Sequence, residues 1–144
     1  MSKHYDSVAL ADRILIGVLF FMSGLSKLAA PAATQGYIAS VGLPAPVVAF
    51  AVAATVELVG SSLLVAGVRT RLVAVGMAVF TLATALTFHR NFADQNQMIH
   101  FMKNIAIMGG LLQVAAFGGG KFSVDAWLAR RAAGPANPSL QPAE

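Results

Sequence analysis

The stretch that decides the fold is Ala45 to Gly67, APVVAFAVAATVELVGSSLLVAG, an apolar run of 23 residues with one charge, Glu57. A helix needs about 20 apolar residues to cross the hydrocarbon core of a bilayer, so this run is long enough to span. At ~1.5 Å of rise per residue, Glu57 lies roughly 18 Å from Ala45, near the midplane. An ionised side chain at that depth costs ~2.5–3.5 kcal/mol or more. We therefore expect it to face protein and either to pair with a cation or to be protonated.

The composition agrees with a membrane protein. Hydrophobic residues make up 57% of the 144 residues, charged residues only 11%, and the mean hydropathy is +0.71, whereas soluble domains average about 25% charged. The net charge is +4, but the basic residues are scattered, so we expect the lipid bilayer and no nucleic acid as a partner. The absence of cysteine excludes disulfide chemistry, Cys-ligated zinc and iron–sulfur clusters within this chain.

Three further apolar stretches complete a predicted all-α transmembrane four-helix bundle. Its helices are expected at about 13–30, 45–67, 72–88 and 98–117, inside a membrane domain of residues 13–128. Residues 1–12 are predicted to be a cytoplasmic N-terminal segment, and residues 129–144, which contain several prolines, a disordered cytoplasmic tail. Between the first two helices, residues 31–46 are predicted to be a loop with space for a short interfacial helix, either inert or acting as a lid.

Helical spacing predicts the inward faces of the spans, because residues three and four apart lie on one face and small residues let membrane helices approach closely. In the first helix this face holds Arg13, Gly17, Phe20, Gly24 and Lys27. In the second it holds Ala53, Glu57, Gly60, Ser61 and Leu64, and in the third Gly76, Phe80, Thr84 and Thr87.

The distribution of Lys and Arg predicts the orientation. Four spans put both termini on one side, and that side, with the turn after the second helix, holds seven basic residues: Lys3, Arg13, Arg69, Arg71, Lys121, Arg130 and Arg131. The opposite side holds three: Lys27, Arg90 and Lys103. Since basic residues collect in cytoplasmic loops, both termini are predicted to be cytoplasmic.

Four polar residues are predicted to be structural anchors. Arg13 is expected to extend to the membrane interface and Arg71 to anchor the tight turn after the second helix on the cytoplasmic side. Ser123 is predicted to cap a short helix, with Asp125 favourably placed near that helix's positive end.

The candidate chemistry lies around Glu57. We predict Glu57, Lys103 and His89 as catalytic residues, and Lys27, Asn104 and His100 as ligand-binding residues. Lys103, roughly 7 Å into its helix, is within reach of Glu57, and Lys27 is the rival cation. One interpretation is a buried ion pair that fixes helix register. The other is a polar cavity for a quinone headgroup or small oxidant, in which Lys103 or His89 donates to a carbonyl and Glu57 relays the proton.

Histidine and glutamate side chains are common metal ligands, so two histidines and Glu57 could also hold a metal ion. However, the three positions differ in depth and their spacing is not that of a ligand set. We therefore predict no metal site.

Several motifs resemble the DoxX family of small four-helix membrane proteins: RILIGVLFFMSGLSKL from Arg13, ELVGSSLLVAGVRTRL from Glu57, His89, IHFMKNIAIMGGLL from Ile99, and GGGKFSVDAWL from Gly118. The resemblance covers roughly residues 10 to 128. It implies a multi-pass protein of the bacterial inner (plasma) membrane. One relative, DoxD, is the membrane subunit of a thiosulfate:quinone oxidoreductase, and some members are reported in complexes with soluble redox enzymes.

From these observations we expect a subunit of a membrane-associated oxidoreductase system that binds quinone, or a small oxidant or sulfur species, in a polar intramembrane core. Soluble redox partner proteins and a homo-oligomer are further expectations. Two alternatives remain open: a non-catalytic membrane scaffold or adaptor for soluble redox enzymes, and a small-molecule carrier, because charges inside a membrane often mark pathways.

Overall fold

A computed structural model of the chain describes residues 3–133, and in that range the structure is all-helical. Seven α-helices follow one another: α1 Lys3–Ala29, α2 Pro31–Ser40, α3 Pro46–Thr55, α4 Ser61–Ala66, α5 Thr70–Phe88, α6 Gln95–Phe117 and α7 Val124–Ala132. A π-helical turn, Val56–Gly60, joins α3 to α4, so that Pro46–Ala66 is one continuous helical segment.

Four segments in the described range are long and apolar enough to cross a membrane. They are His4–Ala29, Pro46–Ala66, Thr70–Phe88 and Gln95–Phe117. The predicted all-α four-helix architecture is therefore confirmed. The short helix α2 occupies the first part of the segment expected to be a loop, and α7 follows the last span.

The first helix begins about ten residues earlier than the sequence suggested. Residues 3–12 are helical, because tertiary contacts hold them against the segment that follows α6. The Asp6 carboxylate accepts a hydrogen bond from the Lys121 backbone N–H at 2.9 Å and lies 3.5 Å from the Lys121 ammonium. The tail also differs from expectation, since helix α7 continues to Ala132; residues 134–144 of the predicted disordered tail lie outside the described residues.

The first span begins, and the last span ends, on the same side of the bundle. The Tyr5 hydroxyl donates to the carbonyl of Phe117 at 2.9 Å, which ties the start of α1 to the end of α6. We call this the closed end, and the opposite end, where α1 runs into α2 and α5 into α6, the cavity end. Which end faces the cytoplasm stays a prediction from the distribution of basic residues.

The core is small, as expected for a bundle whose outer surface is apolar. Buried hydrophobic residues from all four spans form one cluster: Phe20, Leu64, Ala74, Met77, Ala78, Leu111 and Val114. The inward faces predicted for the first two spans are confirmed, since Arg13, Gly24 and Glu57 are buried. The third face is partly wrong, because Gly76 is exposed and α5 instead turns Ala74, Met77 and Ala78 inward.

Arg13 is the main polar residue that connects separate segments at the closed end. Its side chain is 0% exposed, so it does not extend to the interface as expected. Its guanidinium donates to the carbonyls of Leu64 and Val65 at 3.1 and 2.7 Å, and to that of Phe122 at 2.7 Å. The last carbonyls of a helix lack partners within the helix and carry partial negative charge, so a buried cation is favourable at the end of α4.

Gly67 makes this contact possible. It ends α4 with a positive φ of +73°, and a Cβ at this position would collide with Ser123 and with the Arg13 guanidinium. Only glycine combines that backbone conformation with so close an approach.

Two capping interactions organise the last helix. The backbone N–H of Ala126 donates to the Ser123 hydroxyl at 3.2 Å, which confirms Ser123 as the cap of α7. Asp125 lies in the first turn of α7, as predicted, but its carboxylate also caps another helix. It accepts hydrogen bonds from the Arg69 N–H at 2.7 Å and from the Thr70 N–H and hydroxyl at 2.7 and 2.8 Å. These donors belong to the start of α5, so α7 is fixed to the turn between the second and third spans.

We expect Arg13→Met to destabilise the protein strongly, because the carbonyls of Leu64, Val65 and Phe122 lose their charged donor. An unpaired buried acceptor costs ~1–3 kcal/mol, so three of them imply about 3 kcal/mol or more. Reversible unfolding in mixed detergent micelles measures the effect. Arg90→Met is the matched control, since Arg90 is exposed. Equal stabilities of the two variants would contradict the structural role of Arg13.

The Asp125 cap should make stability depend on pH. Desolvation alone raises the pKa of the Asp125 carboxyl, but the hydrogen bonds from Thr70 and Arg69, with the charge of Arg13, outweigh it and hold the pKa below the ordinary 3.8. A lowered pKa gives stability that is present above the ordinary value and is lost as pH falls through the lowered one. The difference in unfolding free energy between wild type and Asp125→Asn should therefore be largest near neutral pH and shrink below pH ~4. A difference in unfolding free energy that grows on acidification would contradict the capping role of the Asp125 carboxylate.

Candidate functional site

Glu57 sits on the π-helical turn Val56–Gly60. In such a turn the regular backbone hydrogen bonds are displaced, and two serines supply replacements. The Ser61 hydroxyl donates to the carbonyls of Glu57 and of Leu58, and the Ser62 hydroxyl donates to Leu58 at 2.7 Å. Single π turns within α-helices are frequent at functional sites. The turn was not predicted, although Ser61 and Ser62, four and five residues after Glu57, are able to bond back to carbonyls.

The partner of Glu57 is Lys27. The Lys27 ammonium lies 2.8 Å from Oε1 of the carboxylate and donates to the Ser23 hydroxyl at 2.9 Å. Ser23 in turn donates to the same Oε1 at 3.3 Å. Ser23 was missed at the sequence level, although its position four residues before Lys27 places the two side chains on one helix face.

The sequence left Lys103 and Lys27 open as partners of Glu57, and a geometric reason excludes Lys103. Side chains lean toward the N-terminus of their own helix. α1 ends at the cavity end, so the side chain of Lys27 leans back toward the middle of the bundle. α6 begins at the cavity end, so that of Lys103 leans outward, away from the depth of Glu57. Lys103 is also exposed.

The backbone of α1 at Gly24 lies close to side chains of the π turn. A Cβ at Gly24 would lie 2.7 Å from Cγ of Leu58 and 3.2 Å from Cβ of Glu57. Gly24 therefore allows the two helices to approach until the side chain of Lys27 reaches the carboxylate.

A cavity of about 450 Å³ opens beside this pair. Ligand sites usually measure ~300–1,000 Å³ and have apolar walls with a few polar groups, and this cavity has both properties. Its apolar lining comes from all four spans and α2, and includes Leu19, Phe20, Ile38, Leu43, Val52, Phe80, Phe88 and Ile107. Its polar lining includes Ser23, Lys27, Thr34, Glu57, Thr84, Thr87, His89 and Asn104.

Helix α2 forms one wall of the cavity. Thr34, Tyr37 and Ile38 line it, and the Tyr37 ring stacks on Phe88 with centroids 5.6 Å apart. The segment expected to be a loop with a short interfacial helix thus contributes a wall of the cavity, and a lid function of this segment stays a prediction.

The histidines lie at the cavity end. Nδ1 of His89 is 2.8 Å from the Gln97 side-chain oxygen, and the His89 ring stacks on His100 with centroids 5.1 Å apart. His89 lines the cavity, whereas His100 is exposed and supports the outer face of the His89 ring. The structure therefore brings Glu57, Lys27, His89 and Asn104 to one cavity.

The second oxygen of the Glu57 carboxylate has an unusual environment. Glu57 is 5% exposed, and Oε2 is buried without a hydrogen-bond partner in residues 3–133. Leaving a buried polar atom unpaired is costly, so the atom calls for an explanation such as a catalytic role or a bound water or ion.

Within the described range no group of three or more His, Asp or Glu residues is arranged to hold a metal ion. The expectation of no metal stays a prediction.

Comparison with known proteins identifies the family. The model of the DoxX family matches residues 8–90. The chain belongs to the DoxX family. It is 37% identical over 131 residues to the inner membrane protein YqjF of Escherichia coli K12, covering 91% of this chain and 99% of that protein. No solved structure matches the chain.

Two further relatives extend the comparison. This DoxX protein is 35% identical to the inner membrane protein YphA of E. coli K12, over 81% of this chain and 86% of that protein. It is 34% identical to a Bacillus subtilis 168 protein named "Putative oxidoreductase CatD", over 60% of this chain and 63% of that protein. With four membrane-spanning segments, this DoxX protein is a multi-pass inner-membrane protein.

Substituting the two lysines tests which of them pairs with the acid. Lys27→Met leaves the Glu57 carboxylate buried without its cation, and breaking a buried pair costs ~3–5 kcal/mol. We expect a loss of unfolding free energy of about 3 kcal/mol or less, because the Lys27 side chain is 25% exposed. Lys103→Met should stay within about 0.5 kcal/mol of wild type, as for most surface sites. Unfolding in mixed micelles measures both, and a larger loss for Lys103→Met would reject the assignment.

Proposed function

We propose that this DoxX protein is a subunit of a membrane oxidoreductase system and that its cavity binds a quinone-type ring. The observation that carries the proposal is the buried ion pair Lys27–Glu57, which borders an apolar cavity and is not sealed within the core. A pair that only fixed helix register would not need a cavity beside it.

The walls suit a flat ring with polar groups at opposite ends. The Lys27–Glu57 pair and Ser23 lie near the middle of the spans, whereas His89 lies at the cavity end, at the boundary of α5. Apolar and aromatic side chains such as Phe20, Phe80 and Ile107 line the space between them. Such walls exclude water and contact the faces of the ring, while the two polar regions orient it.

The chain itself supplies binding and proton handling. Glu57 can accept a proton from a group in the cavity, and Lys27 compensates the charge on the carboxylate. Because the chain has no cysteine, thiols take no part, and the electrons belong to the bound ring or to a partner protein. The relative named "Putative oxidoreductase CatD" supports the same class of activity.

A scaffold function is the second candidate, and one feature of the closed end favours it. A shallow cavity of about 520 Å³ there is lined by Arg69, Arg71 and the glycines Gly118–Gly120. Its basic rim would suit an acidic surface of a soluble redox enzyme. The two functions are compatible, because they use opposite ends of the bundle.

A quinone retained by the purified protein would test the main proposal. We expect wild-type protein, purified from its native membrane, to carry quinone above the level in co-extracted lipid when the lipid phase is analysed by mass spectrometry. Ala53→Phe, which places a ring in the cavity, should reduce retention at least tenfold. Ala51→Phe is the matched control, since Ala51 is exposed and does not line the cavity.

The decisive outcome is the comparison of the two variants. If wild type retains no quinone above the lipid background, or if Ala51→Phe and Ala53→Phe lose it equally, the proposal of a quinone-binding cavity is wrong.

A further inference from the structure

We propose that the cavity at the closed end binds the phosphate of an anionic phospholipid headgroup through the guanidinium groups of Arg69 and Arg71, with α7 lying in the headgroup layer beside it. This lipid site is independent of the proposed quinone site. The two cavities lie at opposite ends of the bundle and share no lining residue.

The two arginines that line this cavity have no partner within the described part of the chain. Both side chains are exposed, and the ion pairs found in residues 3–133 involve other residues. A guanidinium group presents paired N–H donors whose spacing matches two oxygens of a phosphate. The donors of Arg69 and Arg71 are therefore open to a phosphate that enters the cavity.

The cavity has room for a headgroup because one of its walls is formed by glycines. A Cβ at Gly118 would lie 3.4 Å from Nε of Arg71, so the glycine lets this guanidinium approach the segment that follows α6. Arg69, with a φ of +44°, precedes α5 and lines the same cavity. The volume of about 520 Å³ is within the ~300–1,000 Å³ of ligand sites and is sufficient for a phosphate with its glycerol.

Asp125 is the one acid among the residues that line this cavity in the described range. Its carboxylate is already bonded, since it accepts from the Arg69 N–H at 2.7 Å and from the Thr70 N–H and hydroxyl at 2.7 and 2.8 Å. Two unpaired guanidinium charges outnumber this single carboxylate charge. The lining thus has a net positive charge, which favours an anion.

The depth of the cavity favours a lipid over a soluble partner. Its lining includes Leu72, which is 65% exposed and lies in the first turn of the span Thr70–Phe88. The cavity therefore lies at the boundary between hydrocarbon and headgroups, where basic side chains meet lipid phosphates. Lipid phosphates surround this level of the protein, whereas an acidic protein surface, as in the scaffold alternative, would first have to displace them.

Helix α7 has the residues of an interfacial helix. Trp127 and Leu128 are 45% and 51% exposed, and Arg130 and Arg131 follow in the last turn. Tryptophan is enriched at the level of the headgroups, and helices with apolar and basic faces lie in that layer. Arg131 lies over the Trp127 ring, 4.0 Å from its centroid. Such stacking occupies the face of the guanidinium and leaves its in-plane N–H donors for phosphates.

The fluorescence of Trp127 can test the proposal, because it is the only tryptophan of the chain. Purified full-length protein is reconstituted into phosphatidylcholine vesicles with an increasing fraction of lipid whose acyl chains are brominated near the headgroup. Bromine quenches tryptophan on contact, and the brominated chains are carried by either phosphatidylglycerol or phosphatidylcholine. We expect brominated phosphatidylglycerol to give half-maximal quenching at about tenfold lower mole fraction, and this preference should weaken at high salt.

Variants assign the preference to the two arginines. Arg69→Gln combined with Arg71→Gln should lower it to below about twofold, and Arg71→Gln alone, which serves if the double variant fails to fold, should lower it in part. Arg130→Gln is the matched control, because it removes one charge of the closed end outside the lining of the cavity. Arg90→Gln removes an exposed charge at the cavity end. Both controls should keep the wild-type preference.

Each outcome decides the proposal. Equal quenching by the two brominated lipids would show that the cavity does not select an anionic headgroup, and would leave it to the scaffold alternative. Absence of quenching by either lipid would show that α7 lies outside the headgroup layer. Equal losses for Arg71→Gln and Arg130→Gln would assign the preference to overall charge and not to the cavity.

A last arm separates a lipid phosphate from a free one. Inorganic phosphate added to the vesicles should reduce the preference no more than chloride at the same ionic strength. A larger effect of inorganic phosphate would mean that the cavity takes a soluble phosphate, and the assignment to lipid would be wrong. Retention of quinone, which is measured separately, does not depend on any of these results.

Discussion

The contact between the Lys27 ammonium and the Glu57 carboxylate, at 2.8 Å inside the membrane-spanning part of the bundle, is the interaction on which the rest of the structure depends. Neither charge is tolerable there alone. Their pairing therefore requires α1 to lie against the π turn at one register, and Gly24 removes the side chain that would hold the helices apart. The register of the first two spans thus follows from electrostatics as well as from apolar packing.

The two ends of the bundle differ in the contacts that join their helices. At the closed end, Arg13, Gly67 and Asp125 join α1, α4, α5 and α7 through backbone groups that would otherwise be unpaired. At the cavity end, the side-chain to backbone hydrogen bonds found in residues 3–133 stay within one helix or its cap, as where Asp94 accepts from the N–H groups of Asn96 and Gln97. There α2 rests on α5 through the stacked rings of Tyr37 and Phe88. The helices are thus joined mainly by polar contacts between elements at the closed end and by aromatic packing at the cavity end.

Much of this arrangement was predictable from the sequence, and the rest required tertiary information. The single charge in Ala45 to Gly67 identified Glu57, and three–four spacing identified the buried face of α1. The start of α1 was not predictable, because Asp6 is held by Lys121, more than a hundred residues away. The choice of Lys27 over Lys103 was accessible in principle, since antiparallel helices lean their side chains in opposite directions. The capping of α5 by Asp125 was not, because it depends on where α7 packs.

The two carboxylate oxygens of Glu57 have different environments, which matters for the choice between a structural ion pair and the proposed binding site. Buried ion pairs that serve only architecture need their remaining lone pairs satisfied, because desolvation otherwise exceeds the Coulombic gain. Here Oε1 has two donors, Lys27 and Ser23, while Oε2 has none in residues 3–133. A nearby serine, Ser61, turns its hydroxyl to the backbone carbonyl of Glu57 and not to the carboxylate. The protein thus orients the acid through one oxygen, while the other has no hydrogen-bond donor among residues 3–133, as a site that receives a ligand or a water molecule would require.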